Sequence, residues 1–143
     1  MDGKKENIKN EIWNYFQNFQ NVFLATSEGD QPRVRPVTLI HLAQRFWITT
    51  GTYDRKVAQI KKNPRIEFCL PIKKGEKEAY IRGAGRVEIN ENREQRENIA
   101  QNCDYFYEFW KGPDDLKFTL IEVFLEEIEC LRPDETIAYR FKL

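Results

Sequence analysis

The stretch EAYIRGAGRVEIN, residues 78–90, says most about the fold. It predicts a long strand that bends at Gly83 and Gly85, because glycine inside a strand marks a β-bulge, a barrel corner or the close approach of another backbone. The two glycines are not a dinucleotide-binding motif, since they lie within a strand and lack a third glycine and the helix that would receive a pyrophosphate. They therefore indicate a bent sheet.

Short apolar runs and turn residues on either side of this stretch predict further strands, and helix-period patterns predict helices between them. Most strands follow one another through hairpin loops, which favours an antiparallel barrel of the α+β class over a doubly wound parallel sheet. A chain of 143 residues is the size of one domain, so we expect a single domain over residues 1–143. The predicted strands cover residues 22–27, 32–42, 46–50, 65–72, 78–90, 118–130 and 136–143; the predicted helices cover residues 5–19, 91–101 and 104–110 and a short segment between Gly51 and Asn63.

The charge balance excludes several classes of partner. Lys and Arg together number 23, and so do Asp and Glu, so there is no excess of positive charge to hold a nucleic acid. No long apolar run suggests a signal peptide or a membrane span. We therefore expect a cytoplasmic protein that binds neither nucleic acid nor membrane.

The histidine and cysteine content argues against a metal site and against histidine catalysis. His41 is the only histidine, and we expect it to be a strand residue that covers one face of the sheet. Cys69, Cys103 and Cys130 are odd in number and lack Cys-x-x-Cys spacing, which predicts reduced and mostly buried thiols.

A candidate phosphate site lies in the stretch TTGTYDRK, residues 49–56, where a strand ends and a helix begins. The first turn of a helix offers unpaired N–H groups, and hydroxyls and cations beside it suit a phosphate. Arg55 and Lys56 could be a surface pair at the start of a helix, but positive charge at this end of a helix is unfavourable unless an anion lies between, which favours an anion. Arg33 and Arg35 share one face of a preceding strand and form a second basic pair.

Asp54 leaves an alternative open. Its carboxylate stands directly before the two cations, and it could cap the helix and satisfy the same N–H groups from within the chain.

Several short segments together resemble a known family. In their order and spacing the chain is similar to the FMN-binding split barrels of the pyridoxamine 5′-phosphate oxidase type, particularly their short general stress protein members, from about residue 21 to about residue 139. The resemblance implies an α+β fold with a mainly antiparallel, six- to seven-stranded split β-barrel and flanking helices. The segments that carry it are FLAT (23–26), PRVRPV (32–37), FWITTG (46–51), DRKV (54–57), KNP (62–64), GRVE (85–88) and GPDD (112–115).

The resemblance also implies a homodimer with two FMN sites at the subunit interface. It places Arg35 near the flavin and its phosphate with Arg33 close by, and it makes Arg55 and Lys56 the pair that grips the phosphate. The end of the strand meets the flavin ring and ribityl chain. The other residues implied at the FMN site are Thr49, Thr50, Gly51 and Tyr80. As a separate hypothesis, Trp110 also binds the cofactor and, with Tyr107, covers the flavin of the other subunit; the alternative is that both rings serve only hydrophobic packing.

The chain also departs from the family pattern. Asp54 stands where the oxidase has a serine, and Tyr80 stands where it has a glutamine that contacts the flavin. The chain ends at Leu143 without the segment that recognises the vitamin substrate, so we do not expect oxidation of pyridoxamine phosphate.

Three functional hypotheses follow. The first is a flavin-dependent oxidoreductase that uses NAD(P)H or another donor on a small acceptor, with no catalytic side chain assigned. The second is a non-catalytic flavin-binding or redox-sensing protein. The third is the same barrel with a deazaflavin or a haem, of which haem is less favoured because its iron usually needs a well-placed histidine.

Overall fold

The computed structural model of the protein describes residues 2–143. Within this range, four helices accompany seven strands, and a short 3₁₀ turn at Trp13–Tyr15 follows the first helix. The helices are α1 (Asp2–Ile12), α2 (Arg55–Lys62), α3 (Arg93–Asn102) and α4 (Phe106–Phe109), and the strands are β1 (Phe19–Glu28), β2 (Gln31–Leu42), β3 (Arg45–Gly51), β4 (Arg65–Lys74), β5 (Lys77–Ile89), β6 (Phe118–Leu131) and β7 (Tyr139–Lys142).

The seven strands form one antiparallel sheet that closes on itself. Its order is β3-β2-β1-β4-β5-β6-β7, and β3 also pairs with β6 from Phe46 opposite Val123 to Gly51 opposite Phe118. This extra pairing makes a ring of six strands, and β7 extends the sheet beyond the ring. The predicted α+β barrel is therefore confirmed.

A β-bulge allows β6 to serve both the ring and its extension. Ala84 lies opposite Glu127 and Gly85 lies opposite Leu125, so Glu126 is an extra residue on β6. Before the bulge β6 pairs with β3, and after it β6 pairs with β7. The bulge predicted at Gly83 and Gly85 thus coincides with the register shift between Ala84 and Gly85, but the extra residue lies on the neighbouring strand β6.

The two faces of the sheet carry separate cores, as expected when neighbouring strand residues point to opposite sides. Ile48, inside the barrel, packs with residues from the other strands, and Ile8 and Ile12 of α1 belong to the same cluster. Trp47 belongs to the second cluster, in which α3 and α4 cover the other face of β2, β3 and β6.

An ion pair joins β2–β3 to β6 on the second face. Glu122 is almost fully buried and accepts two hydrogen bonds from the guanidinium of Arg45, each 2.7 Å long. The same guanidinium lies over the ring of Trp47 at 4.6 Å. The buried carboxylate of Glu122 is tolerated here because the guanidinium of Arg45 balances its charge and donates a hydrogen bond to each of its oxygens.

The prediction of a helix over residues 5–19 was wrong in its second half. Helix α1 ends at Ile12, and Phe19 is the first residue of β1. Phe16 packs edge-on against Phe68 inside the barrel, whereas Phe19 packs against Tyr105 on the other face. The helical spacing of Phe16 and Phe19 is therefore coincidental, because the two residues belong to different segments that pack against different partners.

Two other elements are shorter than predicted. Helix α4 comprises Phe106–Phe109, and β7 comprises Tyr139–Lys142. His41 lies on β2, as expected, with its ring stacked on Phe46 at 4.4 Å. None of the helices within residues 2–143 is long and apolar enough to cross a membrane.

We expect Gly85→Ala to destabilise the barrel strongly. A Cβ atom at position 85 would clash with the carbonyl oxygen of Phe124, so the backbone of the bulge would have to move. The free energy of unfolding, measured by chemical denaturation, should fall by about 2–4 kcal/mol.

Gly112→Ala is the control, because a Cβ there meets no atom within 4 Å. It should change the free energy of unfolding by less than about 0.5 kcal/mol. Equal stabilities of the two variants would contradict the role given to Gly85.

Candidate functional site

The end of β3 and the start of α2 lie beside β2, and two adjoining cavities open there. One, the cationic pocket, has a volume of about 280 Å³. The other, the strand-end groove, has a volume of about 250 Å³. Asp54 and Lys56 line both, so the cavities are neighbours. The cationic pocket is lined by Glu28, Arg33, Val34, Arg35, Asp54, Arg55, Lys56 and Gln59, and the strand-end groove by Pro36, Val37, Thr38, Thr49, Thr50, Gly51, Asp54, Lys56, Tyr105, Phe109 and Trp110.

The guanidinium of Arg35 is held by uncharged acceptors. It donates to the carbonyl oxygen of Leu24 at 3.2 Å, to Oγ1 of Thr26 at 2.8 Å and to Oε1 of Gln59 at 2.8 Å. Burial lowers the pKa of Arg35, and the nearby charge of Arg33 lowers it further. The side chain is therefore rigidly placed, and none of these three partners neutralises it.

Lys56 and Asp54 form a small network with the end of β3. The ammonium of Lys56 donates to Oγ1 of Thr50 at 2.7 Å and to Oδ2 of Asp54 at 3.2 Å, and the Thr50 hydroxyl donates to the same Oδ2 at 2.7 Å. The hydrogen bond from Thr50 lowers the pKa of Asp54 despite partial burial, and Lys56 lowers it further.

The geometry contradicts the alternative that the Asp54 side chain caps α2. Asp54 lies at the N-cap position, but its carboxylate accepts no capping hydrogen bond. It is turned toward Thr50 and Lys56 instead. The first turn of α2 is therefore not satisfied by the Asp54 side chain.

The remaining two arginines differ in their pairing. Arg33 forms an exposed ion pair with Glu28 at 2.8 Å. Arg55 is exposed, and within residues 2–143 it forms no ion pair at all. The cationic pocket has four cations and two carboxylates in its lining, so it carries an excess of positive charge.

The strand-end groove combines hydroxyl groups with aromatic rings. The hydroxyls of Thr49 and Tyr105 lie 3.3 Å apart, and burial raises the pKa of Tyr105 to about 12. The indole N–H of Trp110 donates to the carbonyl oxygen of Lys117 at 3.1 Å, and its ring lies 4.9 Å from that of Phe118. The strand-end groove is thus lined both by hydroxyl groups that can form hydrogen bonds and by aromatic rings.

Eight of the nine predicted site residues therefore meet around one pair of cavities, and Tyr80 does not. Tyr80 lies on β5, where its hydroxyl donates to Oε2 of Glu129 at 2.9 Å and Arg82 lies over its ring at 5.1 Å. It lines neither cavity. A flavin contact through Tyr80 stays a prediction. Tyr107 likewise lines neither cavity and is largely exposed.

Sequence reasoning missed three residues that shape the site. Thr26 and Gln59 hold Arg35, and Tyr105 lines the groove. Gln59 follows Arg55 by four positions and so shares its helix face, which was an available signal. Nothing in the local sequence indicates that Thr26 or Tyr105 faces the site.

The described residues offer no group of three or more His, Cys, Asp and Glu side chains that could hold a metal ion. The cationic pocket thus carries an excess of positive charge, and the adjoining strand-end groove is lined in part by hydroxyl groups.

Comparisons of the sequence with known proteins gave two matches. Residues 8–131 match the family described as Pyridoxamine 5′-phosphate oxidase. General stress protein 26 of Bacillus subtilis (strain 168) is 24% identical over 140 residues, which cover 97% of this chain and 99% of that protein.

Solved structures share the fold at low identity. The crystal structure of General Stress Protein 26 from Bacillus anthracis str. Sterne has a TM-score of 0.76 and 20% identity, and the match covers 95% of this chain and 98% of that chain. A heme binding protein from Mycobacterium smegmatis has a TM-score of 0.71 and 16% identity, and the match covers 86% of this chain and 53% of that chain.

Proposed function

Because the chain belongs to the pyridoxamine 5′-phosphate oxidase family, we propose that it binds FMN in the two adjoining cavities and carries out flavin redox chemistry on a small molecule. The observation that carries this proposal is that two of the cations in the cationic pocket form no ion pair. Arg35 has only neutral partners, and Arg55 has no ion pair within residues 2–143. Two guanidinium groups that line the cationic pocket near the start of α2 therefore have no carboxylate as a counter-ion.

A phosphate group fits the cationic pocket chemically. Guanidinium groups bind phosphate through paired, charge-assisted hydrogen bonds, and the start of a helix favours negative charge. In this proposal Arg35, Arg55 and Lys56 hold the phosphate. Lys56 pairs with Asp54 at 3.2 Å, but its side chain is largely buried and lines both cavities. Arg33 contributes less, because it is more exposed and pairs with Glu28 at the shorter distance of 2.8 Å.

The rest of the cofactor fits the strand-end groove. The hydroxyls of Thr49 and Thr50 and the backbone at Gly51 offer hydrogen bonds to a ribityl chain and ring edge, while Trp110 offers an aromatic contact. FMN supplies the hydride and electron transfer when it is bound, and the protein supplies binding and orientation.

The structural neighbours keep haem as an alternative, since one of them is a heme binding protein. In this chain His41 is stacked on Phe46 and lines neither cavity, so the one histidine cannot ligate an iron held there. A deazaflavin carries the same phosphate and would use the same cations, and it stays the closer alternative.

The double variant Arg55→Ala/Lys56→Ala tests the phosphate site. We expect its affinity for FMN to fall at least about 100-fold, because two charge-assisted contacts are lost. Riboflavin lacks the phosphate, and its binding should change little. Quenching of flavin fluorescence on titration with protein measures both affinities.

Lys61→Ala/Lys62→Ala removes the same charge from the opposite end of α2 and is the control. It should bind FMN as the unmodified protein does. An unchanged FMN affinity in the Arg55/Lys56 variant would sink the phosphate assignment.

A homodimer is the second part of the proposal, and an apolar surface supports it. Phe23 on β1 lies opposite Pro36 on β2, and Val34 lies two residues before Pro36 on the same strand. All three residues are exposed, and together we call them the outer patch. Val34 is 69% exposed and lines the cationic pocket, whereas Pro36 lines the strand-end groove. A second copy seated on the outer patch would bury apolar surface and enclose both cavities.

The variant Phe23→Glu/Val34→Glu tests the dimer. We expect the unmodified protein to run as a dimer and this variant as a monomer in size-exclusion chromatography with light scattering, because charges would be buried unpaired at the interface. FMN affinity should fall with the dimer.

Leu116→Glu introduces the same charge at a residue that is 86% exposed and lies outside the outer patch. It should remain dimeric. A monomeric unmodified protein that still binds FMN tightly would contradict the interface.

Turnover separates the enzyme from a non-catalytic flavin protein. We expect the FMN-loaded protein to consume NADH or NADPH in the presence of an electron acceptor, measured by loss of nicotinamide absorbance, because the flavin accepts hydride from these donors. Tight FMN binding without consumption of either donor would favour the non-catalytic alternative.

A further inference from the structure

A buried amide stands between the charges of the cationic pocket. The side chain of Gln59 is on α2, and the residue is only 6% exposed. Its Oε1 accepts hydrogen bonds from the guanidinium of Arg35 at 2.8 Å and from the hydroxyl of Thr26 at 2.5 Å. Its Nε2 donates to Oε2 of Glu28 at 3.5 Å.

We propose that Gln59 is a positioning residue of the phosphate site, where its uncharged amide orients the Arg35 guanidinium and leaves the positive charge available to a phosphate. This proposal rests on the proposed function, because it concerns the same anion.

The amide group is suited to this position because it donates from one end and accepts at the other. Toward Arg35 it offers an oxygen that carries no net charge, and toward Glu28 it offers a donor. A carboxylate in the same place would accept from Arg35 equally well, but it would also neutralise the guanidinium.

Glu28 is kept from acting as that neutralising carboxylate. Its Oε1 accepts two hydrogen bonds from Arg33, and its Oε2 is engaged by Gln59. These contacts lower the pKa of Glu28, with the hydrogen bond from Arg33 as the largest cause and that from Gln59 next. Glu28 thus stays ionised and committed to Arg33, while Arg35 keeps only neutral partners.

Partial burial without a counter-ion disfavours the charged form of Arg35, and burial accordingly lowers the pKa of this residue. An incoming phosphate would supply the missing charge. The arrangement therefore favours phosphorylated over unphosphorylated flavins, and the identity of residue 59 sets the size of that preference.

The experiment compares FMN with riboflavin as probes for Gln59→Glu, Gln59→Met and the unmodified protein. For Gln59→Glu we expect at least about a tenfold loss of FMN affinity with riboflavin affinity within about twofold, because the added charge opposes only the phosphate. The loss relative to the unmodified protein should shrink as the pH is lowered, since protonation removes the introduced charge.

Gln59→Met has nearly the same length and no charge, and it keeps the test decisive if the glutamate variant fails to fold. It removes the acceptor of Arg35, so FMN affinity should fall by a few-fold, with a loss that does not depend on pH. Gln101→Glu, an exposed change on α3, is the control for net charge and should bind FMN normally. Circular dichroism and thermal unfolding establish that each variant is folded.

The outcomes separate the two proposals. An unmodified protein that binds FMN no more tightly than riboflavin would overturn the phosphate site and the role of Gln59 together. An unmodified protein that prefers FMN, with both Gln59 variants preferring it equally, would overturn the role of Gln59 alone.

Discussion

The hydrogen-bonded pairing of β3 with β6 is the constraint on which the rest of the molecule depends. It joins residues more than 60 positions apart and turns an open sheet into a ring. The bulge opposite Gly85 makes it possible, because β6 must leave β3 and take β7 as its neighbour along a single strand. Glu122 and Arg45 reinforce the closure from the outer face.

Closure also determines where the site can form. Gly51 is paired with Phe118 at the end of the β3–β6 ladder, so the chain leaves the ring there and α2 begins three residues after Thr52. The hairpin of β2 and β3 and the register of β1 with β2 bring Arg35 to the same place. The cations of the pocket therefore belong to two elements, β2 and α2, which the fold brings together.

Most of the secondary structure could be predicted because it rests on local spacing. The strands, the bend at Gly83 and Gly85, and the start of α2 all follow from patterns a few residues long. The extension of α1 to residue 19 was wrong because Phe16 and Phe19 keep helical spacing while packing on opposite faces of the sheet. Tyr80 was placed at the site by resemblance; its hydroxyl donates to Glu129, and its contact with a flavin stays a prediction.

The sequence by itself determined the barrel class, the phosphate-compatible stretch at residues 49–56 and the cations that could serve it. Only the tertiary structure decided which of those cations remain available. Arg33 is paired with Glu28 across the β1–β2 hairpin, whereas Arg35 is held by Gln59 from 24 residues away. The first contact needs only the register of a local hairpin, whereas the second depends on the docking of α2 against the sheet, which the spacing of neighbouring residues does not encode.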